Sequence, residues 1–131
     1  MTFVDTAAWF ALYIREDPHH AEACEWIAKN RTVLFTTDYV IDETLTLIRA
    51  RGQKAIALEF GSEMFTIPAA TVYYLTPKDI DAAWQVFRDF DDKDWSFTDC
   101  TSKVAIEQFG IETAFTFDHH FRQFGTVVVV P

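Results

Sequence analysis

An α/β fold with a mainly parallel central sheet is predicted for this 131-residue sequence on three observations. Short β-rich runs alternate with longer helical patterns from one end to the other. The runs are near-continuously apolar rather than alternating in polarity, as strands buried on both faces must be, and helices then cover both sides of the sheet. Only four Gly and four Pro punctuate the chain, and nothing resembles a linker. Half of the residues are hydrophobic and 16% aromatic, enough to fill one core, so residues 1–131 read as a single domain of three layers, α/β/α, with about five strands.

The first strand is "TFVD", ending on Asp5 and passing without a turn residue into an alanine- and aromatic-rich helical pattern at 6–16. A second helical pattern covers 20–30, followed by the strand run "TVLFTT" at 32–37. Helical spacing is clearest over 38–51, where Val40 and Leu47 stack along one line while Ile41, Leu45 and Ile48 form the adjacent stripe. Then come a pattern at 54–66, the run "TVYYLT" at 71–76, helical patterns at 78–90 and 99–109, and the runs "ETAFTFD" at 112–118 and "TVVVV" at 126–130. The lengths of these runs suit buried strands. "SFTD" at 96–99 is a capping-box pattern that starts the last of these helices.

The formal net charge of -9 argues against a protein that grips nucleic acid over its whole surface, because that mode needs a basic face; a local basic lip remains compatible with it. Cys24 and Cys100 lie far apart and outside any CxxC pair, as buried thiols of a reducing cytoplasm do. No apolar stretch is long enough to span a bilayer, and no basic leader precedes one, which predicts a cytoplasmic chain without membrane attachment.

In open α/β sheets the ligand site lies outside the carboxyl ends of the strands, where strand order reverses. Four acids fall at or near such places: Asp5 and Asp118 at strand ends, Asp99 at a helix start, and Glu43 at the core edge of the 38–51 helix. Each has a plain structural explanation, since Asp5 or Thr6, Asp99 and Asp118 can cap helices and Glu43 can be a solvated helix former. If they converge, their repulsion is the clue: two bare charges about 4 Å apart cost roughly 4 kcal/mol at an intermediate dielectric. Protons or a cation must relieve it, and an oxygen-only ligand set matches Mg2+ or Mn2+. Thr6, Ser96 and Thr116 stand beside these acids as hydroxyls able to orient them.

Three segments in order, "FVDTAAWFAL", "TTDYVIDETLTLIRAR" and "DWSFTDCTSKVAIEQFGIETAFTFDHHFRQFG", make the chain resemble the PIN-domain nucleases, and within them the VapC-type toxins of VapBC toxin-antitoxin modules. The resemblance covers essentially the whole chain. It implies a PIN-like fold and an acidic metal site of Asp5, Glu43 and Asp99, with Asp118 as a more variable fourth member that Asp92 or Asp94 could replace. It further implies metal-dependent endoribonuclease activity with one or two Mg2+ or Mn2+ ions, a small VapB-type antitoxin that blocks the site, and a homodimer.

For RNA contact the sequence offers Arg49, Arg51 and Lys54 at the end of the Glu43 helix and Lys103 one turn after Asp99, with Lys93 and Arg122 as weaker candidates. Each basic residue also has a helix-dipole or ion-pair role open to it, Lys103 with Asp99 in particular. Trp9, Trp95 and Phe121 could stack on unpaired bases, although core packing accounts for most aromatics. A helix pair spanning Gln53 to Ile67, with Phe60, Met64 and Phe65, offers an apolar groove for an antitoxin peptide. The doublets His19-His20 and His119-His120 read as surface residues, without a catalytic histidine. A calcium loop in "DFDDKDWSFTDC" fails at Asp94 and Cys100, and an aspartyl phosphatase fails at Ala7, where a second acid is needed. A catalytically degenerate PIN-like or receiver-like binding module is the alternative function.

Overall fold

The computed structural model describes residues 1–67 and 69–131. Among them the chain runs β1 (Thr2–Val4), α1 (Thr6–Tyr13), α2 (His20–Lys29), β2 (Leu34–Thr37), α3 (Asp38–Ala50), α4 (Lys54–Phe65), β3 (Thr71–Tyr73), α5 (Pro77–Asp89), α6 (Phe97–Gln108), β4 (Thr113–Phe115), a 3₁₀ helix (His119–Phe124) and β5 (Val128–Val130). The strands form one all-parallel sheet in the order β3-β2-β1-β4-β5.

Successive strand residues point to opposite faces of a sheet, and the packing follows that rule. Phe3 and Phe35, paired in register, face the α6 side: Phe3 meets Phe121 of the 3₁₀ helix at 6.1 Å and Phe35 meets Phe109 at 5.2 Å. On the opposite face Phe115 stacks against Trp26 of α2 at 4.2 Å, and Thr36 accepts from Trp9 Nε1 of α1 at 3.4 Å. These contacts give the three expected layers. Phe3, Val4, Ala114 and Phe115 are all fully buried, which explains why the strands carry no polar alternation.

Several helix starts are written in side-chain hydrogen bonds. Thr37 caps α3 by accepting from the Val40 N–H at 3.2 Å. Thr76 and Asp79 form a reciprocal capping box at α5, with Pro77 in its first turn, and Ser96 and Asp99 form the same box at α6. Gly125 ends the 3₁₀ helix at φ 76°, a left-handed conformation that residues with a Cβ seldom adopt.

Differences from the sequence reading concern lengths and faces. The first helix stops at Tyr13 rather than at 16, where Ile14 turns extended at φ -101°, ψ 104°. The strands are three or four residues long, shorter than the runs that contain them, since only the stretch with partners on the sheet is extended and paired. Trp9, Trp95 and Phe121 are buried, at 2%, 5% and 0% exposure, so none of them is available to stack on bases. Gln53 to Ile67 holds one helix, α4, whose Phe60 and Met64 belong to the core; only Phe65 of the three suggested groove residues is exposed.

Phe60 fills the space between α4 and α1, edge-on to Trp9 at 5.7 Å and to Tyr13 at 5.1 Å. Truncating such a ring removes its transfer free energy and leaves a cavity. Phe60→Ala is therefore expected to lower unfolding stability by about 3–5 kcal/mol in denaturant titrations.

Candidate active site

The first helix begins where β1 ends, and Asp5 occupies the position between them. Its backbone N–H donates to the Phe115 carbonyl at 3.2 Å, extending the β1–β4 ladder by one bond, while its carbonyl accepts from Ala8 and Trp9. Although Asp5 is the N-cap residue of α1, its side chain makes no capping hydrogen bond. It accepts instead from the Thr116 hydroxyl, at 3.0 Å, across the crevice between β1 and β4. Strand order reverses there: the chain proceeds from β1 to β2 and β3 on one side, and to β4 and β5 on the other.

Thr116 follows β4 and serves both strand-end acids. Its oxygen accepts the Asp118 N–H at 2.9 Å while its hydroxyl donates to Asp5. Asp118 in turn accepts the His120 N–H at 2.9 Å and so starts the 3₁₀ helix. Asp99 sits at the third position of α6; it accepts the Ser96 N–H at 3.1 Å, and its own N–H donates to the Ser96 hydroxyl at 3.0 Å. Glu43, half-buried, is carried in by α3, which docks on α1 through a buried hydroxyl contact between Thr44 and Thr6 at 3.1 Å. Thr44 also donates to the Val40 carbonyl at 2.8 Å, so the contact is satisfied on the helix side as well.

These placements make one charge cluster. Burial, with Asp99 and Glu43 close by, pushes the Asp5 carboxyl from 3.8 up to about 7, against the opposing pull of the Thr6 N–H and the Thr116 hydroxyl. Glu43 is raised by burial and by the charges of Asp99 and Asp118, while the Thr6 and Thr98 hydroxyls oppose the rise. Asp99 is raised by burial and by Asp118, opposed by the Ser96 N–H and by His120. Acids that hold their protons too tightly in the bare protein are relieved by a hard cation, and the oxygen donors of the quartet fit Mg2+ or Mn2+.

The structure also adds a residue and moves others. His120, read from sequence as a surface residue, has a side chain only 21% exposed, with Nδ1 3.4 Å from Asp99 Oδ2 and 3.3 Å from Asp118 Oδ1. The two rings lie side by side, 4.4 Å between centres, but the His120 ring faces the acids while the His119 side chain stays 79% exposed. Asp92 and Asp94 are exposed, Asp92 pairing with Lys93 at 3.6 Å. Lys103 pairs with Glu107 on its own helix rather than with Asp99, and its ammonium lies 5.6 Å from the Phe90 ring centre. Arg49, Arg51 and Lys54 are exposed at the far end of α3, with Arg51 against Phe10 at 5.5 Å. At 1.5 Å per residue Arg49 stands about 9 Å along the helix from Glu43, a distance suited to a flanking phosphate rather than to the cleaved one.

A family model described as the PIN domain matches residues 2–127. The chain belongs to the PIN-domain family. Among proteins of known function it is similar to the "23S rRNA-specific endonuclease VapC20" of two Mycobacterium tuberculosis strains, 33% identical over 132 residues that cover 100% of this chain and 99% of the relative. Among solved structures it is similar to the crystal structure of M. tuberculosis VapC20, described as a sarcin-ricin loop cleaving toxin, at 30% identity with a TM-score of 0.93 and full coverage of both chains. The two folds match from end to end.

The raised acids give the metal-free protein a pH dependence of definite sign. Between pH 3.8 and about 7 the folded state holds a proton on Asp5 that the unfolded chain has released, so stability falls as pH rises through that window. Denaturant titrations in the presence of a chelator are expected to show this decline. Asp5→Asn, which removes the titrating group, should flatten it and leave the variant more stable than the parent above neutral pH.

Proposed function

We propose that this chain is a metal-dependent endoribonuclease, the toxin of a type II toxin-antitoxin pair, contained in a single PIN unit spanning residues 1–131. The observation that carries the reading is the convergence of Asp5, Glu43, Asp99 and Asp118 at the sheet's switch point, with burial and mutual repulsion raising three of the four. The end-to-end similarity to an rRNA endonuclease supports RNA as the polymer cut.

In this reading Asp5, Glu43 and Asp99 hold one or two Mg2+ or Mn2+ ions, with Asp118 as the fourth ligand or the residue that orients the attacking water. A divalent cation in such a site supplies Lewis acidity, an easily deprotonated water, and compensation for the charge that develops on the phosphate oxygens. The protein's own part is positioning. Thr116 fixes the Asp5 carboxylate and the Asp118 backbone together, Ser96 fixes Asp99, and the Thr6 and Thr98 hydroxyls steady Glu43. The buried floor of the crevice limits competing water, which strengthens every charge interaction above it.

Arg49, Arg51 and Lys54 provide a local basic lip for the strand on an otherwise acidic protein, and Lys103 lies nearer the site, held by Glu107 until a phosphate competes for it. A VapB-type antitoxin would silence the enzyme by placing a cationic side chain among the carboxylates. The exposed rings of Trp84 and Phe87 on α5, stacked 5.9 Å apart, support self-association as a homodimer. As an enzyme of cellular RNA, the chain acts in the cytoplasm.

Purified, antitoxin-free protein is expected to cut RNA with Mg2+ or Mn2+ and to stop when a chelator is added. The products should carry 5′-phosphate and 3′-hydroxyl ends, the signature of attack by water; cyclic phosphate ends would assign the attack to ribose and overturn the proposed chemistry. Asp5→Asn and Asp99→Asn should each lower the cleavage rate on the order of a hundredfold or more. Asparagine keeps an oxygen able to accept the Ser96 N–H, so Asp99→Asn should stay folded by circular dichroism. A folded, metal-loaded protein that leaves RNA intact would favour the degenerate binding module.

A further inference from the structure

His120 lies against two of the four carboxylates, yet the four-carboxylate account gives it no part in holding an ion. Its Nδ1 is fully buried and makes no hydrogen bond, although carboxylate oxygens of Asp99 and Asp118 lie only 3.4 and 3.3 Å away. A buried polar nitrogen without a partner is costly and needs a reason. The surrounding geometry supplies one. Asp118, His119 and His120 each offer a ligand atom within 4.8 Å of the others, and of the two rings it is His120 that turns inward. The 3₁₀ helix fixes the ring: Asp118 accepts the His120 N–H at 2.9 Å, and neighbouring Phe121 anchors the turn in the core with no exposure at all.

His120 Nδ1 lies 3.3 Å from Asp118 Oδ1 and 3.4 Å from Asp99 Oδ2, so the ring and both carboxylates face one another across a space an ion could occupy. Imidazole is a poor ligand for Mg2+ and a good one for first-row transition ions. We propose that His120 supplies a nitrogen ligand through Nδ1 to the ion shared by Asp99 and Asp118, and that this ligand makes the site select Mn2+ over Mg2+. The inference rests on the proposed metal-dependent reading and specifies which ion that site prefers.

The test uses the full-length protein and the two metals alone. Pulsed electron paramagnetic resonance of Mn2+ bound to the unmodified protein should show hyperfine coupling to an imidazole nitrogen. In His120→Gln that coupling should vanish, and titration calorimetry should record a Mn2+ Kd weaker by about 10–100-fold while the Mg2+ Kd moves by less than about threefold. Bound Mn2+ without nitrogen coupling in the unmodified protein overturns the His120 assignment and leaves the carboxylate site standing; this arm needs no variant to fold. Equal losses for both metals in His120→Gln also overturn it, because a structural defect weakens every ion alike. Failure of either metal to bind the unmodified protein would overturn both this inference and the metal-dependent reading beneath it.

Discussion

Repulsion among carboxylates that the fold brings together is the constraint around which this protein is arranged. A sheet in the order β3-β2-β1-β4-β5 places the ends of β1 and β4 side by side, and each end carries an acid. At this crevice strand order reverses: the chain runs from β1 to β2 and β3 on one side, and β4 and β5 lie on the other. α3 and α6 then bring Glu43 and Asp99 to its rim. The resulting cluster holds protons more tightly than isolated acids do, which in a bare protein is a store of unfavourable energy and in a metal enzyme is the means of binding.

The same residues hold up the local structure. Asp99 satisfies the Ser96 N–H at the start of α6, Asp118 satisfies the His120 N–H at the start of the 3₁₀ helix, and Thr116 ties the two strand ends. Capping and catalysis are therefore not competing explanations for Asp99 and Asp118. A carboxylate has two oxygens and about four acceptor positions, so one lone pair can secure a backbone amide and fix the side chain's orientation while the others face the crevice. Asp5 is held differently: its side chain makes no capping hydrogen bond, and the Thr116 hydroxyl fixes it across the crevice while the adjacent Thr6 N–H favours its charged form. It is also the acid most shifted by burial.

The sequence was most informative where a physical rule acts locally. The five apolar runs each contain a strand, because a strand buried on both faces must be apolar throughout, and "SFTD" reads directly as the capping box that forms. Glu43 was legible as a residue at a core edge, since Val40, Ile41 and Ile48 define the buried face beside it. What was hidden depends on which way one ring or one ammonium turns. The pair His119-His120 is symmetric in sequence, and only the path of the 3₁₀ helix decides that the second ring faces Asp99. Lys103 had two carboxylates within one helical turn, and the fold pairs it with Glu107. Trp9 and Trp95 lie next to the motifs in sequence but their indole N–H groups donate to Thr36 and Gln123, with the rings in the core.

If crowding of the acids is relieved by capture of a cation, binding must expel protons that the bare cluster retains. Calorimetric titration of Mg2+ or Mn2+ into the chelator-stripped protein, repeated in buffers of different ionisation enthalpy, measures that release. The account predicts about one proton released per protein near pH 6, where Asp5 is still protonated, falling towards zero by about pH 9. Binding with no proton release at the lower pH would contradict it, because the carboxylates would then be ionised already and no shared charge would hold them in tension.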